Sequence, residues 1–217
     1  MLQLQDSYRH KGLRAQLVQE IRKKGIQDEK VLAALERLPR HWFFDKEFEE
    51  WAYKDNAFPI DCEQTISQPY TVAFQTSLLK VQSKDRILEI GLGSGYQACI
   101  LYELGAKVYS IERHKPLYEK TMKRLKELGY QNIRTFYGDG FKGLPMFAPF
   151  DKILVTAAAP VIPVLLLQQL KIGGIMVIPV TKGSFQEMQR ITKVSESETQ
   201  IEKFGDFRFV PMLEGTE

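Results

Sequence analysis

Residues 86–96, RILEIGLGSGY, constrain this chain more than any other stretch. A short apolar run ends near an acidic residue, Glu89, and is followed by glycines at alternate positions, Gly91, Gly93 and Gly95. Glycine tolerates positive φ and lets a ligand approach the main chain, so the pattern reads as strand, tight loop and helix. A dinucleotide fingerprint, GxGxxG, requires glycine at position 96, where Tyr96 stands. The GxGxG spacing favours S-adenosylmethionine over NAD as the group held there. A buried strand ending in a plain glycine turn is the competing explanation.

The rest of the chain supplies the layers that such a strand needs. With 217 residues, 44% of them hydrophobic, there is enough core for one α/β domain and a modest appendage. We expect a single domain over 1–217, with a helical and loop preface at 1–69 and an α/β core at 70–217. Leu13, Leu17 and Ile21 fall on one helical face, Gly25 marks a stop, and Val31, Leu32 and Leu35 mark a second helix. Residues 39–69 are too aromatic for a disordered linker and too irregular for one element, which predicts ordered loops over the main domain. A helix follows through Val72, Ala73, Phe74 and Leu78. Strands are expected at 86–90, 107–111, 133–137, 152–156 and 175–179, alternating with helices, which argues for a doubly wound parallel sheet. Segments 188–194 and 200–209 alternate around the polar turn 195–199 and predict an antiparallel hairpin at one sheet edge.

Charge and cysteine usage narrow the function classes. Thirty basic and 27 acidic residues leave a net +3, dispersed along the chain, so no nucleic-acid partner is announced. Cys62 and Cys99 match no metal spacing, and no metal site is expected. The first residues lack the apolar centre of a signal peptide, and the apolar stretch 153–167 contains Pro160 and Pro163 and is too short to span a bilayer. These features predict a cytoplasmic protein without a membrane partner.

In a doubly wound sheet the ligand sits beyond the carboxyl ends of the strands, so the chemistry is expected at the strand ends. The first gives Glu89 and the glycine loop. The second ends at Glu112, whose carboxylate can accept both hydroxyls of a ribose; a solvated charge is the alternative. The third ends in Gly138, Asp139 and Gly140, where a carboxylate between glycines can reach an adenine amino group, or simply make an Asp-Gly turn. The fourth ends in the small residues 156–159. Before the domain's first helix lies QTISQPY, residues 64–70, whose Ser67 or Gln68 can serve as an N-cap leading into Pro69.

Taken together, QTISQPY, LEIGLGSGYQA, VYSIER, GDGFKGLP, APFDKILVTAAAPVIP, LKIGGIMVIPV and FRFVPM resemble the protein-L-isoaspartate O-methyltransferase family over nearly the whole chain. The resemblance implies a class I S-adenosylmethionine-dependent methyltransferase fold, Rossmann-like, with a variation in the order of the last strands. It implies methyl transfer from S-adenosylmethionine, leaving S-adenosylhomocysteine, to the α-carboxylate of an L-isoaspartyl residue in a damaged protein. The ester then closes to a succinimide that hydrolyses partly to normal aspartate. By the same resemblance Ser67 is the active-site residue. The implied cofactor contacts are Glu89, Gly91, Gly93, Gly95, Glu112, Arg113, Asp139 and Gly140. Thr65, Gln68, Val210 and Pro211 lie by the substrate, the preface forms part of the substrate lid, and the protein acts as a monomer on isoaspartyl peptides and proteins. Two departures touch that lid: Tyr70 stands where histidine is frequent, and Asp61, Cys62 and Glu63 replace a glycine-containing lead-in.

Overall fold

The computed structural model describes residues 5–217. Its first helix, α1 (Tyr8–Lys23), starts at Ser7, whose hydroxyl accepts the His10 amide N–H while the His10 ring accepts the Ser7 N–H. Two residues of this kind at a helix start satisfy orphan donors reciprocally. Gly25, at φ 101°, ends the turn, and Asp28 caps α2 (Glu29–Arg37) by accepting the Lys30 and Val31 amides. Leu17, Ile21, Val31, Leu32 and Leu35 are buried as the spacing predicted; Leu13 is half-buried against them.

Residues 39–68 then run as two 3-10 turns, 40–43 and 46–51, and a small hairpin of β1 (Phe58–Pro59) and β2 (Thr65–Ile66). Helix α3 (Pro69–Leu79) follows at once. The core alternates β3 (Arg86–Ile90), α4 (Tyr96–Glu103), β4 (Lys107–Glu112), α5 (Lys115–Glu127), β5 (Arg134–Tyr137), β6 (Phe150–Val155), α6 (Val164–Gln169) and β7 (Leu170–Lys182). It closes with β8 (Phe185–Lys193) and β9 (Thr199–Phe207).

The sheet order is β5-β4-β3-β6-β7-β8-β9; the first five are parallel and β8 and β9 antiparallel. From β3 the chain winds one way through β4 and β5, then crosses back to β6 on the other side. That reversal opens a crevice at the carboxyl ends of β3, β4 and β6, the position where open α/β sheets bind ligands. The two faces are covered unequally. One carries α1, α2, α3 and α4 over a core that includes Ile87, Leu101 and Leu154; the other, around Leu88, Ile153 and Met176, carries the short α6 and connecting loops.

Two expectations change in extent. The strand expected at 175–179 starts at Leu170, because Gly173 (φ 79°) and Gly174 let residues 171–174 bulge out between the pairs Phe150–Leu170 and Lys152–Ile175. The expected hairpin is a three-stranded meander, since β8 begins at Phe185 and pairs with β7 through Lys182.

Candidate active site

The glycine loop has the form its spacing dictates. Gly91, Gly93 and Gly95 all have positive φ, at 100°, 51° and 85°. At Gly91 a β-carbon would meet Thr156 Oγ1 at 2.4 Å, because the Thr156 hydroxyl donates to the carbonyls of Ile90 and Gly91 and stitches β6 to the loop. At Gly95 it would strike Thr121 and Leu125 of α5, so this glycine allows helix packing and does not face the crevice. Gly93 sits open.

Glu112, at the end of β4, is buried and acts as the organiser of this end. Its Oε2 accepts the Gly93 N–H at 2.9 Å, and its Oε1 accepts the Arg113 and His114 amides at 2.9 and 3.0 Å. A carboxylate has about four acceptor sites, so three are committed to main chain and one, on Oε2, remains. Arg113 sends its side chain to Glu217 and the Gly215 carbonyl.

All of this borders one cavity of about 1010 Å³. Gly91, Gly93, Glu112, Arg113 and Gly140 line it, together with Thr65, Ser67, Gln68, Val210 and Pro211. The last two arrive by a path not visible in the sequence. After β9 the chain returns to the sheet centre, where Ala158 donates its N–H to the Val210 carbonyl at 2.8 Å and accepts that of Met212. The Ser67 hydroxyl makes no hydrogen bond to the described residues, while its carbonyl accepts from Arg40. The N-cap alternative for Ser67 fails: Gln68 holds the cap position, no side chain of the segment caps α3, and Asp55 accepts the Tyr70 amide instead.

Three expected cofactor contacts lie off the cavity wall. Glu89 is 0% exposed within the sheet, where the Ser110 hydroxyl donates to its Oε2 and Oε1 has no partner. Burial pushes its carboxyl up to about 8, with the neighbouring Glu112 charge adding to the rise, so it is a neutral acid at pH 7. Position 89 is therefore tied sideways to β4 through Ser110. Asp139 uses Oδ1 to accept the Phe141 N–H, the turn that sequence reasoning kept as an alternative, and leaves Oδ2 without a partner among the described residues. The third is Gly95, already assigned to packing.

An aromatic wall on the same cavity has no counterpart in the sequence expectations. Tyr70 and Phe74 stack with centroids 5.8 Å apart, and Phe74 meets Phe207 at 5.2 Å and Phe204 at 6.3 Å. All four rings border the cavity. The signal was present as Tyr70-x-x-x-Phe74 at helical spacing, but its partners on β9 are 130 or more positions away. Asp6, His10 and His41 converge on the far side of the preface, yet Arg14 occupies both Asp6 oxygens and each imidazole is already hydrogen-bonded.

A parallel sheet with its crevice at the strand reversal, a GxGxG loop cradled by β6, and an acidic side chain closing β4 define a class I S-adenosylmethionine-dependent methyltransferase. The residues fit that cofactor: main chain of a glycine cradle is exposed to the cavity, and an anchored carboxylate with a free acceptor site stands beside it. Comparison with known proteins narrows the class. The sequence profile described as protein-L-isoaspartate(D-aspartate) O-methyltransferase matches residues 12–217. A protein-L-isoaspartate O-methyltransferase of Cytophaga hutchinsonii is 57% identical over 210 residues, 97% of this chain and 95% of that one. One of Christiangramia forsetii is 54% identical over 211 residues, covering 97% and 99%. A solved protein-L-isoaspartate O-methyltransferase superposes with a TM-score of 0.83 at 27% identity, over 91% of this chain and 65% of that one. A beta-aspartate methyltransferase of Plasmodium falciparum, in complex with S-adenosyl-L-homocysteine, shares the fold with a TM-score of 0.81 at 23% identity, over 94% and 98%. The chain belongs to the protein-L-isoaspartate (D-aspartate) O-methyltransferase family.

Proposed function

We propose that this protein methylates the α-carboxylate of L-isoaspartyl residues in damaged peptides and proteins, and that Ser67 presents that carboxylate. The observation that carries the reading is the placement of an uncommitted Ser67 hydroxyl on the same cavity as the Gly91–Ser94 main chain and Glu112. S-adenosylmethionine, when bound, supplies a methyl group activated on a sulfonium. The acceptor is ionised at pH 7, its ordinary pKa being about 4, so no side chain has to remove a proton. The site's task is alignment and exclusion of water, which can be worth about 7–11 kcal/mol in well-oriented reactions.

In this reading Ser67 donates a hydrogen bond to one acceptor oxygen, and Thr65, Gln68, Val210 and Pro211 bound the peptide. Gly91, Gly93, Arg113 and Gly140 form the cofactor wall, Glu112 offers its remaining Oε2 site to a ribose hydroxyl, and Asp139, off that wall but next to the lining Gly140, offers Oδ2 to the adenine amino group where the bound cofactor extends past it. The 1–69 preface forms part of the lid within a single 1–217 domain; the described part of the preface shares one core with the sheet, which supports this. The protein works as a cytoplasmic monomer on polypeptides, without nucleic acid. No helix among the described residues is long and apolar enough to cross a membrane. The test is transfer of labelled methyl to a synthetic L-isoaspartyl peptide beside its aspartyl twin. Base-labile label in the isoaspartyl peptide alone is expected; label in both, or in neither, removes the reading.

A further inference from the structure

The Thr65–Gln68 segment is held from behind by two charged side chains that do not border the cavity. Arg40, 1% exposed, donates from Nη2 to the Ser67 carbonyl at 2.9 Å. Among the described residues that is its one hydrogen bond of ordinary geometry: Nε and Nη1 are buried without partners, the Tyr96 hydroxyl adds only a weaker contact, and the guanidinium lies over the Tyr96 ring at 4.7 Å and the Phe44 ring at 5.5 Å. Asp55, whose side chain is 3% exposed, accepts the Tyr70 N–H on Oδ1 at 2.8 Å. Its Oδ2 accepts from Gln68 Nε2 at 3.1 Å and from Lys24 Nζ at 2.6 Å, and its own carbonyl takes Gln68 Nε2 at 3.0 Å.

A guanidinium buried with one hydrogen bond is a poor way to stabilise a fold. Desolvating it costs free energy that a single carbonyl does not return, and apolar residues of similar volume often serve stability as well or better. Burial lowers the Arg40 pKa to about 10, so the group remains cationic at neutral pH. What the arrangement does achieve is directional. A fixed donor on the Ser67 carbonyl and a fixed acceptor on the Tyr70 amide pin the 67–68 and 69–70 peptide units, which flank Gln68 and Pro69, and with them the direction of the Ser67 side chain.

We propose that Arg40 and Asp55 are positioning residues for the acceptor carboxylate, acting through the main chain of Ser67 and Tyr70. The inference rests on the role given to Ser67 above. An active site tolerates little misplacement, since about 1 Å can cost on the order of a hundredfold in rate.

The test is a double-mutant cycle with three readouts: kcat and KM on the isoaspartyl peptide, S-adenosylhomocysteine affinity by calorimetry, and thermal midpoint. Arg40→Met is expected to melt at or above wild type and to bind S-adenosylhomocysteine within twofold. Its kcat should fall at least tenfold, and Arg40→Lys, which keeps a donor and the charge, should recover part of the loss. Because Arg40 acts through Ser67, Arg40→Met combined with Ser67→Ala should be no slower than Ser67→Ala alone. Losses that multiply, or a kcat that falls only in step with melting point and cofactor affinity, would reduce Arg40 to a structural role and overturn the proposal. Should Arg40→Met not fold, Asp55→Asn decides the matter: one amide oxygen must then serve Tyr70, Gln68 and Lys24, which two carboxylate oxygens now share out, and the variant is expected to raise the peptide KM with unchanged cofactor affinity. An unchanged peptide KM would overturn the proposal. Inactivity of the wild type on the peptide, with cofactor binding intact, would instead strike the functional reading beneath it.

Discussion

Two groups of residues on the cavity are built by different means. The glycine-loop group, which we propose as the cofactor end, is a local object: β3, its loop and α4 are continuous in sequence, and Glu112 closes it from the neighbouring strand with three main-chain hydrogen bonds. The Ser67 group, which we propose as the acceptor end, is assembled from the 65–68 segment, the 204–211 return and buried polar groups at positions 40 and 55. On that reading the difference shows how a cofactor site can coexist with a separate acceptor site. A rigid parallel sheet fixes the first, while long-range side-chain-to-main-chain bonds tune the second.

If the ends are separable, substitutions at one should leave the other alone. The largest effect is expected from Ser67→Ala, with kcat on the isoaspartyl peptide down about a hundredfold, near 2.7 kcal/mol, as for loss of a positioned donor. Calorimetric affinity for S-adenosylhomocysteine should stay within twofold; a parallel loss of affinity would show that Ser67 belongs to the cofactor end. Glu112→Ala reverses the pattern. It removes one ligand contact and also frees three main-chain donors, and cofactor binding should weaken by about 1–3 kcal/mol. Undiminished affinity would take Glu112 out of the ribose site.

Glu89, buried in β3 beside Ser110, sharpens the comparison. In the native state it keeps its proton up to about pH 8, whereas the unfolded chain releases it near the ordinary 4.5. The folded state therefore loses its advantage from this group as pH rises from about 4.5 through 8. Glu89→Gln, permanently neutral, should be more stable than wild type at and above pH 8, by on the order of 1–2 kcal/mol, with the gap closing towards pH 5. A gap independent of pH in chemical denaturation would mean that the native carboxyl titrates normally.

The smallest effect is expected at the tip of the acceptor-end hairpin. Cys62 and Glu63 both occupy the left-handed region, at φ 57° and 56°, in the turn 61–64. Such turns favour glycine, and a side chain there costs about 1–2 kcal/mol. Glu63→Gly should raise stability by about 0.5–1 kcal/mol after the added freedom of the unfolded chain is subtracted. A lowered melting temperature would show that the glutamate side chain contributes more than the strain it imposes.

Legibility followed the same division. Position 96 set the loop type, and the alternation of strands and helices set the parallel core, because both rest on short-range periodicity. The aromatic wall was hidden because Phe204 and Phe207 meet Tyr70 and Phe74 only after the antiparallel meander has formed. The burial of Glu89 off the cavity wall was hidden for a related reason: the strand alternates faces, and which face borders the crevice depends on the sheet's neighbours.

By itself the chain determined the layered α/β class, the glycine loop, the acid at the end of β4 and the family. Each is written in residues close together, where backbone freedom and hydrophobic period act directly. Tertiary structure alone decided that Glu112 spends three of its acceptor sites on main chain, that Glu89 is a buried neutral acid, and that Arg40 and Asp55 hold the Ser67 segment. Burial and partner geometry between distant segments set those properties, and neither exists until the core has closed.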